Sequence, residues 1–131
     1  MKRRLIMLVA IVCAFAMLAP EAALANKSVS TSLSMSVDNA KIRKGHYVTF
    51  KGKLSSNRKK CYANRSVSLY KNGNYMSKKR TDPTGRVRFS RRVFQTSKWK
   101  IRFLGFTFGT HPKRVTCLGS TSNIIRVRIR T

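Results

Sequence analysis

Acidic residues are nearly missing from this chain of 131 residues, which has 3 Asp or Glu against 29 Lys or Arg and a formal net charge of +26. Beyond residue 25 only Asp38 and Asp82 remain, and Asp82 belongs to a turn motif, so no carboxylate pair is left for general acid–base catalysis. A Ser-His-Asp set built on His46 or His111 lacks the G-x-S-x-G segment that would expose a nucleophilic serine. The sequence therefore predicts that the protein is not an enzyme.

Long apolar runs are also missing, apart from one at the start of the chain. Basic residues 2–4 precede an apolar run of about 15 residues at 5–19, and residues 23–25 fit the small-x-small pattern of a cleavage site. The run is shorter than the roughly 20 residues that span a bilayer, which disfavours an uncleaved anchor. A lipoprotein signal at Cys13 is disfavoured because the bulky Val12 precedes it. We predict that residues 1–25 are a cleaved signal peptide and that the protein is secreted, either free outside the cell or associated with the cell wall.

Cysteine is scarce as well, with 3 in the whole chain. Cys13 leaves with the signal peptide, so the mature protein keeps Cys61 and Cys117. Together with His46 and His111 they make a Cys2His2 set, but the short ligand spacings of zinc sites are absent. An even pair of cysteines in an exported chain instead predicts a Cys61–Cys117 disulfide, with no metal and no cofactor.

What remains after cleavage is a strongly basic domain, residues 26–131. Removing the first 25 residues takes away three basic residues and Glu21, which leaves 26 basic and 2 acidic residues, a net charge of +24 on 106 residues. Such an imbalance concerns partners and solubility rather than fold. A chain of this length forms one domain around a single sheet-on-sheet core.

Apolar residues recur at every second position from Ser28 onward, which predicts half-buried β-strands and no amphipathic helix. Asn72-Gly73 predicts a tight hairpin, and the segment DPTG at 82–85 predicts a second turn. About seven short strands result, and their phase places Trp99 in the core. This pattern predicts an all-β, antiparallel β-sandwich, with a closed barrel of the oligonucleotide-binding type as the structural alternative.

Residues 105–123 form the longest stretch without clean alternation. We expect a loop there, tied down by the disulfide at Cys117, because long loops are either functional or restrained. Its aromatic residues, Phe106 and Phe108, are candidates for contact with a partner.

The order of motifs resembles a known family. The segments GHYVTFKGKL, RSVSLYKNG, TDPTGRVRF, KWKIRFLG and SNIIRVRI resemble the bacterial immunoglobulin-like modules of exported, particularly actinobacterial, proteins. The positions that fall on that pattern are Gly45, Val67, Leu69, Tyr70, Gly73, Thr81, Asp82, Gly85, Phe89, Ser122, Asn123 and Val127. The resemblance implies an immunoglobulin-like antiparallel β-sandwich of about seven strands and a non-enzymatic adhesive, spacer or carbohydrate-associated role. It transfers no functional residues.

The last strand, IIRVRIRT, has an arginine at every position that faces away from its apolar side: Arg126, Arg128 and Arg130. Neighbouring arginines of this kind lie about 7 Å apart and repel each other by roughly 0.6 kcal/mol in water. Lys98, Lys100 and Arg102 have the same phase and are expected on the neighbouring strand, as are Arg86 and Arg88. A surface that accumulates this repulsion gains most from a polyanion, so these eight residues are the predicted polyanion-binding site.

The leading functional hypothesis is therefore a secreted binding module for an anionic polymer of the cell envelope or an acidic polysaccharide. Three alternatives stay open: a cationic antimicrobial effector acting at membrane surfaces, an extracellular nucleic-acid binder and a module that binds another secreted protein. The sequence does not specify the oligomeric state.

Overall fold

The computed structural model describes residues 26–131, and the predicted signal peptide, residues 1–25, lies outside the described residues. The described part contains twelve strands and one short helix. The strands are β1 (Asn26–Val29), β2 (Thr31–Val37), β3 (Lys41–Arg43), β4 (His46–Ser56), β5 (Ser66–Lys71), β6 (Asn74–Arg80), β7 (Arg86–Val93), β8 (Ser97–Phe103), β9 (Phe106–Phe108), β10 (Arg114–Cys117), β11 (Ser120–Thr121) and β12 (Ile125–Arg130). The helix, α1, is Lys59–Tyr62.

The strands form an all-β sandwich, as predicted. One sheet has the order β2-β4-β7, and the other has the order β3-β12-β8-β5-β6 with β11 attached to β8. All pairings in these sheets are antiparallel except β3–β12, which is parallel. The two sheets are separate, so the barrel alternative is wrong.

The inner faces of the two sheets meet in one apolar core. Phe50 of β4 and Trp99 of β8 pack with ring centroids 4.9 Å apart. Gly52 of β4 leaves room for the Ile101 side chain of β8. Trp99 is 1% exposed, which confirms its prediction as a core residue, and its indole N–H donates to Ser97 Oγ at 2.8 Å. The main buried side chains are Leu33, Met35, Ile42, Val48, Phe50, Leu54, Val67, Leu69, Val87, Phe89, Val93, Trp99, Ile101, Phe103 and Val127.

Polar side chains tie strands and turns together. Asn123 donates to the carbonyl of Met35 and accepts from its N–H, both at 3.0 Å, so its amide stands in for a strand partner of β2. Buried Thr81 donates to Tyr62 O at 2.6 Å and accepts from Arg65 N–H at 2.8 Å. Because a buried polar group must find partners, the Thr81 hydroxyl has a structural role. The exposed Asn123 has one too, since both of its hydrogen bonds go to the backbone of β2.

The predicted turns and the predicted disulfide are present. Asn72 and Gly73 have φ angles of 49° and 82°, as a two-residue hairpin turn requires. The second turn closes with the Gly85 N–H donating to Asp82 O at 3.0 Å. Cys61, in α1, is bonded to Cys117, at the end of β10, and both are fully buried.

The predicted strand number differs from the observed one. The seven expected strands correspond to β2, β4, β5, β6, β7, β8 and β12, and the short strands β1, β3, β9, β10 and β11 were missed. Three of these lie within residues 105–123, which were expected to form a loop. Each has only two to four residues, too few for a periodic apolar pattern to be recognised.

The described part falls into two compact units. The larger, Val29–Phe106 with Cys117–Thr131, contains the sandwich. Within the described residues the smaller unit comprises 26–28 and Thr107–Thr116 and holds most of a three-stranded sheet with the order β1-β10-β9. In that unit, Thr107 and Thr116 pair their hydroxyls at 3.3 Å.

Candidate binding faces

Six of the eight predicted cations lie on the outer side of one sheet. Arg126 of β12 lies directly opposite Lys98 of β8 in the antiparallel ladder, while the buried Val127 points to the core. Lys100 and Arg102 follow on β8, where they alternate with buried Trp99, Ile101 and Phe103. Arg128 and Arg130 follow on β12, and both are exposed. The alternation that the sequence predicted on both strands is therefore present.

Sequence reasoning missed two further cations on this side. In the parallel pairing, Arg128 lies opposite Lys41 and Arg130 opposite Arg43, and both β3 residues are exposed on either side of buried Ile42. The signal was the segment KIRK, which repeats the basic–apolar alternation of β12 on a shorter scale. We call these side chains together the β12 face: Lys41, Arg43, Lys98, Lys100, Arg102, Arg126, Arg128 and Arg130.

The β12 face has a concave region of about 540 Å³ bordered by Asn72, Lys98, Lys100 and Arg126. The hairpin turn is fixed against β8, because the Asn72 N–H donates to Lys98 O at 2.8 Å and Asn72 Oδ1 accepts from Lys98 N–H at 2.9 Å. Three positive side chains therefore border one depression whose wall is a hydrogen-bonded turn.

An aromatic pair adjoins this depression. Tyr70 and Tyr75 meet edge to face with centroids 6.1 Å apart, and Lys100 Nζ lies 5.9 Å from the Tyr70 ring centroid. Tyr75 is 57% exposed. The ring of Tyr75 is therefore accessible to a planar or sugar group beside the cations.

Arg86 and Arg88 do not join the β12 face, so the prediction that they neighbour β8 is wrong. They lie on β7, in the other sheet, where Arg86 is opposite Lys53 and Arg88 is opposite Lys51. Alternation tells which side of a strand a residue occupies, but not which sheet the strand enters, and the chain changes sheets between β7 and β8.

These two arginines belong to a second basic surface, which we call the β7 face: Lys51, Lys53, Arg86, Arg88 and Arg92. The edge strand β2 adds hydroxyls beside it, with Ser34 opposite Lys53 and Ser36 opposite Lys51. A concave region of about 710 Å³ is bordered by four of these cations, by the two serines and by Asp82: Lys51, Lys53, Arg86, Arg88, Ser34, Ser36 and Asp82. At the far end the Arg92 guanidinium lies 5.0 Å from the ring centroid of exposed Tyr47.

The two side-chain carboxylates in the described part of the chain, Asp38 and Asp82, accept hydrogen bonds in turns. Asp38 Oδ1 accepts from the N–H groups of Asn39 at 2.8 Å and Thr49 at 3.0 Å. Asp82 Oδ1 accepts from the Thr84 hydroxyl at 2.6 Å, the Thr84 N–H at 2.8 Å and the Arg86 N–H at 3.0 Å. The Thr84 hydroxyl, followed by the Arg86 N–H, holds the pKa of Asp82 below its ordinary value, against the opposing effect of burial.

The remaining candidate residues of the sequence are Cys61, Cys117, His46, His111 and Phe106. The disulfide takes up both thiolates that a zinc site would need, and no group of three or more His, Cys, Asp or Glu residues converges within residues 26–131. His46 and His111 are exposed. The Arg65 guanidinium stacks 3.7 Å from the centroid of Phe106, so this aromatic already has a cationic partner.

No protein-family model matches the chain. No curated protein matches it either. Within the described part of the chain, no helix has the length and apolar character needed to cross a membrane.

Proposed function

We propose that the mature protein is a secreted, non-catalytic module that binds anionic polymers of the cell envelope, either phosphate-bearing chains or acidic polysaccharide, through the β12 face. The observation that supports this most directly is the pairing of like charges: Arg126 with Lys98, Arg128 with Lys41 and Arg130 with Arg43. Like charges directly opposite each other destabilise a sheet. A repeating anion placed over these rows would relieve the repulsion.

The chemistry of the face suits such a ligand. Arginine forks bind carboxylate and phosphate oxygens in pairs, and lysine adds attraction with little geometric demand. The two carboxylates of the described residues cannot neutralise 26 basic side chains, and both already accept hydrogen bonds in turns. The face is therefore open to a partner that carries many negative charges.

The test is binding of residues 26–131, with the disulfide intact, to purified cell wall across a salt series. The variant Arg126→Gln/Arg128→Gln/Arg130→Gln should bind more weakly, and the slope of log affinity against log salt should become shallower by about 2 to 3. Lys44→Gln/Arg58→Gln/Lys59→Gln, which removes three exposed cations from turns and α1, is the matched control. Equal weakening in both variants would mean that binding depends on net charge alone. Full binding by the β12 variant would refute the proposal.

The aromatic pair supports a second candidate, binding of extracellular single-stranded nucleic acid. Bases stack on aromatic rings beside cations in many such proteins, and exposed Tyr75 packs against Tyr70, whose ring lies near Lys100. The variant Tyr75→Ala should then weaken binding of an oligonucleotide while leaving wall binding unchanged. Equal competition by oligonucleotide and wall polymer, with no effect of Tyr75→Ala, would rule out this second function.

A further inference from the structure

The sandwich has basic residues on both outer surfaces, not on one. The β12 face covers one sheet, and the β7 face covers the other, with Lys51 opposite Arg88 and Lys53 opposite Arg86. The alternate residues of the same strands, including Phe50, Trp99 and Val87, form the core between the sheets. The two faces therefore point in opposite directions.

An apolar core separates the two charge sets. Packed sheets lie about 10 Å apart before the outward side chains are counted, so a chain lying on one face cannot also contact the cations of the other without passing around an edge. A bound polymer on the β12 face therefore leaves the like-charge pairs of the β7 face unrelieved. The same repulsion that supports binding on the first face applies again on the second.

The β7 face has its own shape. Its paired cations occupy the adjacent strands β4 and β7, and Ser34 and Ser36 of β2 run alongside as small hydroxyls. The resulting depression has a volume of about 710 Å³. Cations bind the anionic groups of a polymer. Serine hydroxyls donate hydrogen bonds to its sugar or glycerol oxygens, or accept hydrogen bonds from its hydroxyl groups. A second segment of the same kind of polymer complements this surface.

We propose that the protein is bivalent and cross-links two chains of an anionic envelope polymer, one on the β12 face and one on the β7 face. This inference rests on the proposed function of the β12 face. Two opposed faces on one domain fix the bound chains on opposite sides of the sandwich. Each binding event then raises the effective concentration of the protein for the other chain.

A two-chain capture experiment tests the proposal. Poly(glycerol phosphate) is fixed on beads, protein is added and washed, and a fluorescently labelled poly(glycerol phosphate) is offered in solution. Wild-type protein should retain the labelled chain on the beads. Two variants each remove three cations from one face: Lys98→Gln/Arg126→Gln/Arg128→Gln weakens the β12 face, and Lys51→Gln/Lys53→Gln/Arg88→Gln weakens the β7 face. Each should still bind the beads through its remaining face and should capture at least fivefold less labelled chain.

The matched control is Lys44→Gln/Arg58→Gln/Lys59→Gln, which loses the same charge and should capture the labelled chain like wild type. Undiminished capture by the β7-face variant would overturn the inference, and so would equal loss of capture in the control. Failure of wild-type protein to bind both these beads and beads that carry an acidic polysaccharide would instead overturn the proposed function. Binding to the beads without capture would overturn bivalency alone.

The binding stoichiometry of short oligomers is a second, independent test, because a short oligomer cannot wrap around both faces. Calorimetry with glycerol phosphate oligomers too short to pass around the sandwich should give two chains per wild-type protein, and in each single-face variant one of the two sites should be weakened and the other unchanged. A stoichiometry of one for wild type would overturn the inference. Each variant is first checked for a cooperative melting transition at a temperature no lower than that of wild type, which is expected because the replaced side chains are exposed and do not contribute to the core.

Discussion

The two outer surfaces of the sandwich carry the same kind of charge in different arrangements. On the β12 face, cations occupy three neighbouring strands, β3, β12 and β8, so positive charge continues across the sheet. On the β7 face they occupy only β4 and β7, and the edge strand β2 presents serine instead. One surface is a broad patch, and the other is a track two strands wide.

This difference in arrangement suggests different contributions of the two faces to the affinity for an anionic chain and to the direction in which the chain lies. Under the proposed function, the broad patch would bind an anionic chain in many orientations, since each crossing strand supplies a cation. The narrow track with hydroxyls on one side would favour a chain that runs along the strands and would distinguish polymers by their uncharged oxygens. We therefore expect the β12 face to dominate affinity and the β7 face to contribute more of the selectivity.

The largest expected effect comes from removing the disulfide, on which both faces depend. Cys61 and Cys117 are separated by 56 residues, and the loop-closure model predicts a loss of about 4 kcal/mol in Cys61→Ala/Cys117→Ala. Urea unfolding measures this loss, and wall binding at each urea concentration should follow the folded fraction. Binding that survives unfolding would mean that flexible positive charge suffices and that the comparison of two faces is irrelevant.

A smaller effect is expected from Gly52→Ala, which disturbs the core without changing an outer cation. An added Cβ would overlap Ile101 Cδ1 and lie 3.0 Å from Val87 Cγ1, and overpacking of this kind costs about 1–3 kcal/mol. Ser55→Ala, an exposed change on the same strand, is the control and should leave the melting temperature nearly unchanged. Below the melting transition both faces of the Gly52 variant should bind like wild type, and selective loss on the β7 face would show that Gly52 shapes that surface directly.

The sequence was sufficient to predict features that depend on neighbouring residues along the chain. The strand alternation, the turns at Asn72-Gly73 and Asp82 and the burial of Trp99 follow from local periodicity and turn chemistry. The Cys61–Cys117 disulfide followed because only one pair of cysteines was available. The sequence also predicted that the cations of β8 and β12 share a surface, because the two strands have the same phase and proved to be neighbours.

The features that sequence reasoning missed depend on long-range pairing. Arg86 and Arg88 have the expected phase but lie in the other sheet, since phase contains no information about sheet membership. Lys41 and Arg43 join the β12 face through a parallel pairing of three residues. The sequence of neither strand alone predicts this pairing. The second basic surface is therefore a property of topology, and only the three-dimensional arrangement reveals it.

Charge reversal within one row gives a smaller effect and tests the repulsion on each face separately. Lys98→Glu places an acid opposite Arg126, and Arg88→Glu places one opposite Lys51. Each change should stabilise the fold by about 0.2–1 kcal/mol in urea unfolding and weaken polymer binding on its own face. Lys44→Glu, in the turn between β3 and β4, changes net charge equally, so equal stabilisation by this control would show that cross-strand repulsion is negligible.

The smallest effect is expected at Asp82, the one carboxylate that borders the depression of the β7 face. Because its pKa is lowered in the folded state, its stabilising contribution is present above the ordinary aspartate pKa of about 3.9 and is lost as the pH falls through the folded value. Asp82→Asn should lower the melting temperature slightly at pH 7, and the difference from wild type should shrink below about pH 4. Since the variant also removes a negative charge beside Arg86 and Arg88, polymer binding at neutral pH should strengthen in protein whose β12 face has been neutralised. No gain in that background would show that the β7 face does not bind the polymer.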